Sequence, residues 1–136
     1  MIHNLFVYGT LKRCASGARL GQAERQRLEL EGDWRGEALM AGRIYDMGRY
    51  PVLAAPKSEH ETVHGEVFRL RSPETTFGWL DIYEGLPPGR ARGDEYERVT
   101  RHVRLAGGED LEAWVYVLAG NIGAAALIPD GRWLPH

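Results

Sequence analysis

At 136 residues with 43% hydrophobic side chains, the chain has the length of one domain and the apolar content for a real core. Its 17 basic and 19 acidic residues are interspersed and leave a net charge of -2, which excludes a global field drawing it to nucleic acid or an anionic membrane. A single cysteine, no apolar run near the ~20 residues of a membrane helix and no secretory leader in MIHNLFVYG together point to one cytoplasmic domain over residues 1–136.

Leu5, Phe6, Val7 and Tyr8 read as a buried strand that runs into Gly9-Thr10-Leu11-Lys12 without a usual hairpin dipeptide. GARLGQAERQRLELEGDW has helix formers but only a thin apolar stripe, and fits either a helix or irregular chain. ALMAGRIYDM alternates as a strand, with Leu39, Ala41, Arg43 and Tyr45 opposite Met40, Gly42 and Ile44. GRYPVLAAP reads as a turn region, with Pro51 and Pro56 barring a helix. ETVHGEVFRLR alternates again, Val63, Gly65, Val67 and Arg69 against His64, Glu66, Phe68 and Leu70.

The clearest helix comes next. Ser72 suits its N-cap and Pro73 its first position, and it runs to about Glu84, where Gly85 and then Pro87-Pro88 end it. GLPPGRARGDE is a loop, and YERVTRHVRL and LEAWVYVL, joined by AGGED, carry the strongest hairpin signal. The tail IPDGRWLPH reads as mostly irregular. Five or six strands with one clear helix predict an α+β domain on a mixed or barrel-like sheet.

Chemistry concentrates at the end of that helix. Phe77, Leu80 and Glu84 fall on one face, with Trp79 and Tyr83 extending the apolar arc. Glu84 thus lies at the edge of the packed face and at the negative end of the helix dipole, and both disfavour its ionised form. A glutamate poised toward neutrality is what a general acid/base needs; the competing reading is a boundary residue reaching water. Asp81, on a more exposed flank, and Glu66, on a strand, are weaker candidates.

HETVH, from His60 to His64, matches the zinc motif H-E-x-x-H, and Glu84 lies where a third ligand can fall. That chemistry needs the two histidines one helical turn apart. Thr62, Val63 and Gly65 argue instead for a strand, which separates the histidines by about 13 Å, too far to share an ion. No metal is expected. Phosphate loops, dinucleotide fingerprints and nucleophile elbows are absent, and Cys14, though beside Lys12 and Arg13, reads as a small side chain rather than a nucleophile.

VYGTLK together with LDIYEG resembles the gamma-glutamylcyclotransferase-like (AIG2-like) family, in particular its gamma-glutamylamine cyclotransferase branch. GRIYDMGRYPVL, VHGEVF, DEYERVTRHV and AWVYV resemble further family segments in the same order, from residue 5 to about residue 118. The resemblance implies a compact mixed β-barrel with flanking helices and a surface cavity for a glutamyl group. It places Tyr8, Gly9, Thr10 and Leu11 in a substrate loop and makes Glu84 the acid/base. Gly9 then allows close backbone approach, and successive N–H groups can cradle an oxygen.

The implied reaction is attack of the substrate's α-amine on its own gamma-carbonyl, releasing 5-oxoproline and an amine, with no cofactor. Tyr116, on the late aromatic strand, is a further candidate substrate contact; Arg98 either orients an acid or holds the sheet. Arg90 and Arg92 read as solvated loop charges beside the cavity. The partner is a small gamma-glutamyl compound, whose leaving group the sequence does not name, and the oligomeric state stays open. The alternative is a noncatalytic small-ligand binding domain of the same fold.

Overall fold

The computed structural model describes residues 1–13 and 21–134. Cys14 lies outside the described residues. In chain order the elements are β1 (Asn4–Val7), α1 (Gln22–Glu31), β2 (Gly32–Ala41), β3 (Arg43–Asp46), β4 (Pro51–Ala54), β5 (Thr62–Leu70), α2 (Pro73–Tyr83), β6 (Tyr96–Leu105), β7 (Asp110–Leu118) and β8 (Ala126–Ile128). Five strands close a barrel in the order β1-β5-β2-β6-β7, and a small sheet, β4-β3-β8, stands beside it. The barrel is antiparallel except where β1 meets β7 in parallel at Leu5 and Trp114. No helix among the described residues is long and apolar enough to cross a membrane.

Alternation along the strands sorts the core into two sets. Phe6, Met40, Val63, Val67, Val103 and Val115 come from all five barrel strands and fill the lumen. Their neighbours Leu5, Val7, Phe68 and Leu70 face outward and are covered by Leu28 of α1 and by Phe77 and Leu80 of α2. Gly65 marks a close approach within the barrel: a Cβ there would lie 2.5 Å from the Val7 carbonyl oxygen and from Phe6 Cζ. Only a residue without a side chain lets β1 and β5 close over the Phe6 ring.

Several expectations need correction. The single strand read across ALMAGRIYDM is two, broken at Gly42, whose N–H donates to the Glu61 carbonyl (3.1 Å) as the chain leaves the barrel for the small sheet. GRYPVLAAP is no simple turn. Val52 and Leu53 are fully buried in β4, and Pro51 is tolerated as the first residue of that strand. β8 pairs with β3 and reaches only the first residue of the tail, which is otherwise irregular over residues 129–134, as expected, and inserts Trp133, 2% exposed, among the lumen residues. The open segment after β1 resolves into α1, whose Arg25 and Leu28 are buried. HETVH straddles the turn into β5, with His64 inside the strand, so the helical spacing of the zinc motif does not arise.

Candidate active site

At the end of β1 the chain enters a cavity of about 520 Å³. Its wall brings together Tyr8, Gly9, Thr10 and Leu11 from the loop after β1, Glu84 from the end of α2, and Tyr116 from β7. The acid, the loop and the aromatic contact that the resemblance implies therefore line one space, whereas the weaker candidates Asp81 and Glu66 do not. Tyr50, Pro51, Tyr83, Asp94, Glu95 and Tyr96 are among the rest of its lining, and the sequence gives none of them a site role. Tyr50-Pro51 and Tyr96 sit inside segments that carry the family resemblance, but no spacing in the sequence ties them to the loop or to Glu84.

The loop is held from several sides. Lys12 N–H donates to the Gly9 carbonyl (3.1 Å), closing a turn, and Arg25 of α1 donates to the Thr10 carbonyl. Lys12 Nζ is buried and donates to the Trp133 carbonyl (2.8 Å), which ties the loop to the tail in the lumen. Arg13 N–H donates to the buried Glu66 carboxylate, so that acid is structural. Gly9 packs on Pro51, where a Cβ would lie 2.9 Å from Cδ. Among the described residues, the N–H groups of Gly9, Thr10 and Leu11 have no protein acceptor. Three successive donors beside a cavity form a place for an anionic oxygen.

Glu84 closes α2. Its N–H donates to the Leu80 carbonyl (2.9 Å), and Gly85 follows at φ 85°, the left-handed stop predicted from the sequence. The residue keeps partial exposure at the helix end, but its carboxyl group is enclosed by the cavity wall and accepts no hydrogen bond among the described residues. Burial foremost, then the negative charges of Glu95 and Asp81, push its pKa up to about 8.

Tyrosines frame the carboxyl. The Tyr8 hydroxyl donates to the Tyr116 carbonyl and accepts from Leu53 N–H (3.3 Å), while Tyr96 donates to the Pro51 carbonyl (2.9 Å). Burial raises the pKa of Tyr8, Tyr96 and Tyr116, so these phenols stay neutral and serve as rigid wall. Tyr116 lines the cavity with its ring only: its hydroxyl donates to Asp81 Oδ1 (2.6 Å).

Asp81, read from the sequence as an exposed flank residue, is instead half-buried and gripped by Arg98 through two hydrogen bonds of 2.8 and 3.0 Å. The Arg98 guanidinium lies 4.1 Å over the Phe77 ring and 4.7 Å over Trp114. Arg98 thus does both things weighed for it: it orients an acid and joins β6, β7 and α2. Arg92 points away to the Ala119 carbonyl and Glu97, and Arg90 is exposed.

A family model described as gamma-glutamyl cyclotransferase, AIG2-like, matches residues 5–135, and the chain belongs to that family. Among solved structures it is similar to an AIG2-like protein from Mus musculus, at 23% identity and a TM-score of 0.65, over 99% of this chain and 85% of that one. YkqA from Bacillus subtilis matches at 21% identity and a TM-score of 0.68; the chain is 98% covered but spans only 40% of YkqA. YtfP from Escherichia coli shares 29% identity at a TM-score of 0.61, with 96% of each chain covered. No curated protein matches by sequence.

Proposed function

We propose that the chain is a cofactor-independent gamma-glutamyl cyclotransferase with Glu84 as its acid/base. The observation that carries this reading is the enclosed Glu84 carboxyl, raised to about 8 and without a hydrogen-bond donor among the described residues, in one cavity with Gly9, Thr10 and Leu11, whose N–H groups have no acceptor there. A gamma-glutamyl group has matching chemistry: its α-carboxylate suits the N–H groups of Gly9, Thr10 and Leu11, and its α-ammonium suits Glu84.

Glu84 as carboxylate takes a proton from the α-ammonium. A value raised to about 8 brings the carboxylate far nearer to an α-ammonium in basicity than an ordinary glutamate stands, so this transfer is correspondingly less uphill. The freed amine attacks the gamma-carbonyl carbon and closes a five-membered ring. As the amide C–N bond breaks, protonated Glu84 gives its proton to the departing nitrogen. The ring nitrogen's remaining extra proton passes through Glu84 to the same amine, which leaves as ammonium. Atoms and charge balance, and no water is consumed. The rigid tyrosine wall serves proximity, holding amine and carbonyl within attack distance.

Incubation with a panel of gamma-glutamyl amines, dipeptides and glutathione, with mass spectrometry for 5-oxoproline, tests the reading. Release by the wild type supports it. Silence across the panel, with ligands nonetheless raising the melting temperature, overturns it in favour of a noncatalytic binding domain.

A further inference from the structure

The cavity is electrically one-sided. Apart from its tyrosines, every ionisable side chain lining it among the described residues is acidic: Glu84, Asp94 and Glu95. The nearby cations are otherwise engaged. Arg98 is bound to Asp81, Arg25 to the Thr10 carbonyl, Lys12 to the Trp133 carbonyl and Arg92 to Ala119 and Glu97.

Glu95 is built into this wall rather than loose on it. Its carbonyl accepts from Ala119 N–H (2.8 Å), and Gly120 admits the strand end so closely that a Cβ there would lie 2.4 Å from the Asp94 carbonyl oxygen. The Tyr50 hydroxyl then orients the side chain by donating to Oε2 (3.0 Å). The Glu84 carboxyl in the same wall accepts no hydrogen bond among the described residues, which leaves it open to a ligand's ammonium group.

If the α-carboxylate takes the backbone N–H groups and the α-ammonium takes Glu84, the leaving amine is the part left to meet Glu95 and Asp94. An amino acid or peptide leaving group brings its own carboxylate to that wall and finds no cation lining it among the described residues. An amine with a second ammonium finds two carboxylates.

We propose that Glu95, oriented by Tyr50, selects the leaving group by charge: the site takes gamma-glutamyl derivatives of amines carrying a second, cationic group and rejects those whose leaving amine carries a carboxylate. This rests on the cyclotransferase reading and narrows its substrate class.

Three compounds of matched chain length test it: the gamma-glutamyl derivatives of putrescine, butylamine and gamma-aminobutyrate, whose far ends are cationic, neutral and anionic. Turnover of the wild type falls in that order, by about tenfold in kcat/KM for each unit of charge. Glu95→Gln, which keeps the shape and can still accept from Tyr50, reduces the cationic-to-anionic ratio at least ~10-fold, mainly through KM, and Glu95→Asp retains the order. Calorimetric binding of the same compounds to Glu84→Gln reads the charge order without turnover. Turnover or binding indifferent to charge, or a ratio unchanged in Glu95→Gln, overturns the inference and leaves the cyclotransferase reading standing. Binding in the stated order with no 5-oxoproline from any compound supports charge selection and overturns the cyclotransferase reading. No binding of any of the three overturns both.

Discussion

Glu84 and Asp81 lie three residues apart on α2 and have opposite situations. Glu84 is enclosed without a donor among the described residues, so the folded protein holds a proton that the unfolded chain releases at the ordinary value of 4.5. A carboxyl with a raised folded-state pKa contributes stability at low pH and loses it as pH climbs from about 4.5 through about 8. Glu84→Gln removes that loss. We expect the variant to match the wild type near pH ~5 in urea unfolding and to exceed it by about 2 kcal/mol near pH ~9. Asp81 is the partnered acid. Asp81→Asn leaves the Arg98 guanidinium uncompensated between Phe77 and Trp114, and we expect a loss of about 2–4 kcal/mol in the same assay. Helical periodicity in the sequence was enough to bring Glu84 to the packed edge, because that depends only on neighbours along one helix. It misplaced Asp81, because periodicity gives an angle about the helix axis and is silent about an arginine arriving from β6 and a tyrosine from β7.

At the scale of elements, α2 and the β6–β7 hairpin were legible because their signals are local: Ser72-Pro73 at one helix end, Gly85 at the other, and AGGED between two alternating runs. Even there the detail differs, since the Ser72 hydroxyl meets the Thr75 hydroxyl (3.0 Å) rather than capping a backbone N–H. β4 and β8 were illegible because each is short and exists only through its partner β3. Tyr50 and Glu95, absent from the sequence reading, precede β4 and β6 and meet only once the small sheet docks beside the barrel. Two glycines separate close approach from empty space. Gly65→Ala forces a methyl onto the Val7 carbonyl and Phe6 ring and costs about 2–3 kcal/mol. Gly78→Ala, in mid-α2 with nothing within 4 Å, stabilises by about 0.5–1 kcal/mol. Thermal unfolding of the two variants, with melting temperatures moving in opposite directions, checks the pair.

In the whole molecule, the C-terminal tail is tied to the loop after β1. Trp133 fills the lumen, and its carbonyl anchors Lys12 in the loop after β1, so Trp133→Ala should cost about 3–5 kcal/mol and, on the proposed function, raise KM while the Glu84 chemistry is retained. The order of family-like segments along the chain was readable from the sequence, whereas the insertion of the tail was not, because a lone tryptophan in IPDGRWLPH carries no periodicity. The cavity makes sense only at this scale, where β1, α2, β4, β6 and β7 converge on Glu84 and the N–H groups of Gly9, Thr10 and Leu11. We propose that this convergence cyclises a gamma-glutamyl group through Glu84, which 5-oxoproline release by wild type and Glu84→Gln side by side, as a function of pH, tests. The account predicts wild-type kcat/KM governed by an ionisation near 8, with the variant folded and slower by about 10²–10⁴. A folded Glu84→Gln that releases 5-oxoproline at the wild-type rate would contradict it.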